Sequence, residues 1–137
     1  MTRKILCPTD GTDHSSVAVI QAAEMAAKFA SALTLCVVNI AHGGARGSTI
    51  NHWTAQEVTK ILDDAEALAL KHGAGVVHRV DIISREAAAG IVQYGEQNGY
   101  DHIVMGTGDK RGMSRLMLGS VAADVSGRAH CTVTVAR

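Results

Sequence analysis

The sequence predicts a doubly wound α/β fold: a five-stranded parallel sheet with four helices spread over both faces. Three features carry that expectation. Short apolar runs alternate with longer stretches of helical periodicity along the whole chain. The resulting order, β-α-β-α-β-α-β-α-β, points to parallel strands joined by right-handed crossovers. No repeat, linker or low-complexity tract interrupts it, so residues 1–137 are expected to form one domain.

Each element has its own signal. KILCP, residues 4–8, reads as a short buried strand. TDGTDHSS follows as a turn holding several candidate helix caps. Ala18, Ala22, Met25, Ala26 and Phe29 then fall on one helical face, with Gln21, Glu24 and Lys28 opposite. LTLCVVNI, rich in β-branched residues, is a second buried strand. Residues 41–52, AHGGARGSTINH, carry three glycines and no periodicity, and are expected as a long loop.

Thr54 and Glu57 have capping-box spacing. From there Val58, Ile61, Leu62, Ala65, Leu68 and Ala69 form a helical stripe that KHGAG ends. VVHRVDII is the third strand. Ser84 is a candidate cap for a third helix carrying Ala87, Ala88, Ile91 and Val92, in which Gly90 and Gly95 each cost about 1 kcal/mol against alanine. DHIVMG is the fourth strand, a helix follows Ser120, and TVTVA is the fifth strand.

Composition narrows the function classes. Thirteen basic and thirteen acidic residues cancel, which argues against a strongly basic nucleic-acid face. No stretch approaches the roughly 18 apolar residues of a membrane span, and the apolar run at the start is too short for a secretory signal, so a cytoplasmic location is expected. Cys7, Cys36 and Cys131 lie apart with apolar neighbours and read as reduced core thiols. The seven histidines are scattered without ligand spacing, and no metal site is expected from them. No base stands legibly beside Ser120 or a cysteine, so no catalytic residue is assigned.

Two loops have unusual chemistry. In open α/β sheets, ligands bind beyond the carboxyl ends of the strands, where the strand order reverses. With the order 3-2-1-4-5, the loop Pro8-Thr9-Asp10-Gly11 would neighbour Gly106-Thr107-Gly108 at that point. Neither a GxGxxG nor a GxxxxGK[ST] string occurs. Gly119-Ser120-Val121 opens a helix, whose first amides lack internal partners and suit phosphate. On spacing alone, Ser120 reads equally as a simple helix cap.

The chain resembles the universal stress protein family along nearly its whole length. The opening ILCPTDGTDHS, the run LTLCVVN and the stretch from Asp101 to Arg137 carry the resemblance, in order. Nucleotide-binding members of that family have a Rossmann-like fold and the motif G-x2-G-x9-G-[ST]. Gly106 takes its first place, and Gly119-Ser120 its last. The resemblance implies binding of ATP or another adenine nucleotide. It implies that Gly106 lets the backbone approach the phosphates or ribose, that Gly119, Ser120 and the Val121 amide grip the phosphates, that Asp10 meets the ribose or the adenine edge, that Val37 and Met105 wall the base, and that Thr9 borders the cleft. It also implies a homodimer pairing the last strands through Val133 and Val135, and a regulatory role in stress response toward an unnamed protein partner.

One departure stands out. The second glycine of the motif falls at Asp109, with Gly108 one place early. Like unit charges at about 4 Å repel by roughly 1 kcal/mol in water and about 4 kcal/mol at an effective dielectric of 20. An inward Asp109 would oppose a triphosphate; an outward one, offset by Lys110, Arg111 and Arg115, would not; and a carboxylate there could instead reach the triphosphate through a magnesium ion. The sequence leaves three readings open: an ATP-binding regulatory module, a binder of AMP or cyclic AMP, and a nucleotide-free dimeric adaptor with Asp109 closing the site. An ATPase or a thiol redox protein using Cys7 or Cys131 stands behind these.

Overall fold

The computed structural model describes residues 2–44, 47–107 and 118–137. In chain order the elements are β1 (Lys4–Pro8), α1 (Asp13–Phe29), β2 (Ala32–Gly43), β3 (Thr49–Asn51), α2 (Ala55–Lys71), β4 (Val77–Ser84), α3 (Ala87–Gln97), β5 (His102–Gly106), α4 (Ser120–Arg128) and β6 (Thr132–Ala136). Parallel pairing gives the spatial order β4-β2-β1-β5-β6. That is the expected 3-2-1-4-5 in terms of the five long strands.

The sixth strand is a correction. Residues 41–43 and 49–51 were expected within a loop, yet β2 runs on to Gly43 and β3 pairs with it antiparallel, Ala41 opposite Asn51 and Gly43 opposite Thr49. All three β3 side chains are exposed, so backbone pairing builds this strand without any hydrophobic pattern.

Side chains alternate across the sheet and build two cores. Ile5, Cys7, Leu33, Leu35, Val37 and Val104 face α1 and α2. Leu6, Cys36, Ile82, Ile103 and Met105 face α3 and α4. This period of two is the pleat of a strand buried on both sides. Helix α1 packs its alanines, Ala18, Ala22, Ala23 and Ala26, at zero to 3% exposure, which lets its backbone come close to the sheet.

The helix starts follow local chemistry. Thr12 caps α1 by accepting from the Ser15 N–H. Thr54 and Glu57 form the expected reciprocal box at α2. Ser84 does not cap α3. The cap position is Glu86, without a side-chain bond, and the Ser84 hydroxyl instead donates to the Glu86 carbonyl (2.8 Å). Among the described residues, no helix is long and apolar enough to cross a membrane.

Two glycines mark where helices touch the sheet most closely. A Cβ on Gly106 would overlap the His14 carbonyl oxygen and lie 2.9 Å from its carbon. A Cβ on Gly90 would lie 2.9 Å from the Ser84 Cβ and 3.3 Å from Val38 Cγ1. Gly90 is therefore required by the seating of α3 on the sheet, whatever it costs in helix propensity. Gly106→Ala and Gly90→Ala should each lower stability by about 1–3 kcal/mol, the usual cost of overpacking. Urea titration reads this directly. A raised midpoint for Gly90→Ala would show helix propensity, about 1 kcal/mol in alanine's favour, outweighing the close packing.

Candidate functional site

A cleft of about 340 Å³ opens at the carboxyl ends of β1, β2 and β5. Its size is that of a small-molecule site. One boundary is the turn after β1. Thr9 N–H donates to the Cys36 carbonyl (2.8 Å), tying this turn to β2, and the Thr9 hydroxyl donates to Ser15 Oγ (3.0 Å). Thr9 lines the cleft, but its hydroxyl is spent on the start of α1.

Asp10 follows, exposed on the cleft wall. Its Oδ1 accepts from the Thr12 N–H (3.0 Å) and the Thr12 hydroxyl (2.6 Å). This is an Asx turn that holds the carboxylate in one orientation. Burial works against ionisation of Asp10, but hydrogen bonds from Thr12 and Ser15 outweigh it and keep the carboxyl below the ordinary carboxylate range. The cleft thus contains a fixed, ionised acceptor.

The opposite boundary is the start of α4. Gly119 occupies the cap position in an extended conformation, buried, with no side-chain cap bond. Ser120 is the first helical residue, so its hydroxyl does not serve as a cap. The Ala123 N–H closes the first turn on the Gly119 carbonyl (2.8 Å). The N–H groups of Ser120, Val121 and Ala122 therefore have no intrahelical carbonyl. All three residues line the cleft, as do Gly119 and the end of β5 at Gly106 and Thr107. The positive end of the helix dipole faces the same space.

The apolar wall differs from expectation in one residue. Met105 lines the cleft as expected, but Val37 does not. Val37 is fully buried in the core beneath α1 and α2. Its neighbour Val38, one pleat further on, faces the cleft together with Ile91 and Ala87 of α3. Trp53 both packs on the α1–α2 core and lines the cleft. Gly108 and Asp109, with Lys110, Arg111, Arg115 and Arg46, lie outside the described residues.

Among the described lining residues, Asp10 is the one charged side chain. An anion at the start of α4 would meet backbone amides and a hydroxyl there. The cysteines are held as thiols. Burial pushes the Cys7 thiol up to about 12 and raises Cys36 well above its usual value, with the nearby Cys7 adding to the latter. Cys131 is raised by burial and by Asp101. Thiolates are thus suppressed at neutral pH. Among the described residues, no group of three or more His, Cys, Asp or Glu is placed to hold a metal.

Comparison with known proteins agrees with this architecture. The profile of the universal stress protein family matches residues 1–137. A universal stress protein of Methanocaldococcus jannaschii is 33% identical over 141 residues, covering 98% of this chain and 82% of that protein. A universal stress protein from Archaeoglobus fulgidus superposes with a TM-score of 0.80 at 22% identity, covering 100% of this chain and 99% of the other, and a universal stress protein from Archaeoglobus fulgidus in complex with dAMP superposes with a TM-score of 0.75 at 22% identity, covering 100% of this chain and 98% of the other. A universal stress protein in complex with cAMP superposes with a TM-score of 0.79 at 21% identity, covering 99% of this chain and 97% of the other. With the two-sided parallel sheet, the turn at Asp10 and the helix opening at Ser120, the chain belongs to the universal stress protein family.

Proposed function

We propose that this protein is a regulatory module that binds an adenine nucleotide in the cleft between the β1 turn and the start of α4. The observation that carries the reading is the pairing of two opposed features across one cleft. At one end stand the amides of Ser120, Val121 and Ala122 at a helix start; at the other stand an ionised Asp10 and apolar residues. Phosphate oxygens suit the first, because the amides and the dipole both favour negative charge. Ribose hydroxyls suit Asp10, which accepts without needing a proton. A purine suits Val38 and Met105. The relatives solved with cAMP and dAMP support the same ligand class.

The reading favours a single phosphate. Among the described lining residues, the backbone amides at the start of α4 and the Ser120 hydroxyl are placed to meet one phosphate, the ligand class of the relatives solved with cAMP and dAMP. ATP with magnesium is the second reading. It is favoured by the retained spacing of Gly106 and Gly119-Ser120 and by Lys110, Arg111 and Arg115 in the sequence between them. Occupancy of the cleft is the proposed signal, read by a protein partner during stress. A homodimer through the outer edge of β6 belongs to the same proposal. Val133 and Val135 are half-buried there, and β6 hydrogen-bonds only to β5 among the described strands.

Calorimetry with AMP, cAMP and ATP, with and without magnesium, tests the ligand. Heat with AMP or cAMP in the absence of metal is expected, and silence with every nucleotide would overturn the reading in favour of a nucleotide-free adaptor. Asp10→Asn should weaken AMP binding by about tenfold, the loss expected when a charge-assisted hydrogen bond, about 1.5–3 kcal/mol, becomes a neutral one. Sedimentation should give twice the chain mass; a monomer at all concentrations would remove the dimer.

Asp10 also predicts a pH signature. Its folded pKa is depressed, so its contribution to stability is fully present above the unfolded carboxyl value of about 3.9 and is lost as pH falls through the lower folded value. The stability gap between the native protein and Asp10→Asn, measured by urea titration, should therefore be constant above about pH 5 and shrink below pH 4. A gap that widens on acidification would contradict the assigned ionisation.

A further inference from the structure

Behind Trp53, which lines the cleft, lies a buried amide that packing alone does not require. Asn39, on β2, is 2% exposed. Its Nδ2 donates to the Trp53 carbonyl (2.9 Å), and its Oδ1 accepts from the Trp53 N–H (2.9 Å). One residue earlier, the His52 N–H donates to the Ile40 carbonyl (2.8 Å). A buried amide is costly unless its bonds are made, and here both ends of the amide are used on one backbone position. Asn39 therefore fixes where the main chain carries the Trp53 side chain. The His52 ring packs against the indole in a T-shaped arrangement, with centroids 4.8 Å apart.

Position in the sheet says which end of the cleft Trp53 serves. It is clamped to β2, while the helix start that suits phosphate follows β5; β1 lies between the two strands. Two strand spacings, about 10 Å, separate them. A nucleoside monophosphate laid across that span with its phosphate at α4 brings its base to the β2 side, beside Val38 and Trp53. An indole there supplies a flat apolar face to a purine, the contact by which aromatic side chains commonly hold bases.

We infer that Trp53 contacts the base of the bound nucleotide and that Asn39 is its positioning residue. The inference rests on the adenine-nucleotide reading of the same cleft. It also has a convenient reporter, because Trp53 is the single tryptophan of the chain. The experiment titrates AMP into the native protein while recording tryptophan emission, with calorimetry run in parallel to establish occupancy. Trp53→Ala, Trp53→Phe and Asn39→Ala follow by calorimetry, with circular dichroism and melting to verify the fold.

Saturating AMP is expected to quench or shift the emission. Trp53→Ala should bind AMP about tenfold more weakly, and Trp53→Phe should recover most of that loss. Asn39→Ala should show a red-shifted emission without ligand and an AMP affinity reduced several-fold. Calorimetric binding with unchanged emission would overturn the inference and leave the nucleotide reading standing. Asn39→Ala with native emission and native affinity would remove its positioning role. Absence of heat in the native protein would overturn both readings together. If a variant fails to fold, emission of the native protein still decides the contact.

Discussion

The site depends on one constraint of chain direction. From β1 the chain steps outward through β2 to β4, then returns past β1 to form β5 and β6. Right-handed crossovers then place α1 and α2 on one face and α3 and α4 on the other. The connections leaving β1 and β5 go to opposite faces, and a crevice opens between them. The close seating of α1 on β5, which leaves no room for a side chain at Gly106, draws the β1 turn toward that crevice. Gly106 was expected to admit a ligand; its packing role against His14 is sufficient by itself to explain a glycine there.

Electrostatics at the two ends of the cleft are opposed and local. Asp10 remains ionised because Thr12 and Ser15 hydrogen-bond around it, which in turn depends on Thr12 being the α1 cap. The same few residues start a helix, hold an acceptor in place and bind the turn to β2. At the far end, Gly119 at the cap position brings no side-chain acceptor to the first amides of α4. Were Ser120 one position earlier, its hydroxyl would take a cap role and compete with a phosphate for those amides. The distinction between a cap and a binding residue here is one residue of register.

Much of this was legible in the sequence. Strand and helix periodicities were strong, and Thr54-Glu57 and the apolar strand runs left little ambiguity about type or order. What escaped did so for definable reasons. Val37 and Val38 are both apolar in a strand buried on both faces, so the pattern does not show which of them points at the cleft. Strand β3 is held by backbone pairing with every side chain exposed. Ser84 precedes α3 but spends its hydroxyl on the turn at Glu86. Trp53 is positioned by Asn39, 14 residues away, and nothing local marks that bond.

The account's central claim is that phosphate oxygens rest on the opening amides of α4. Backbone amide NMR during titration with AMP tests this most directly, because it reads those groups one by one. The account predicts that the Ser120, Val121 and Ala122 amide resonances shift downfield and rank among the largest changes, accompanied by smaller movements at Asp10 and Val38. Saturation with AMP that leaves those three amides in place, with the large shifts elsewhere, would contradict it.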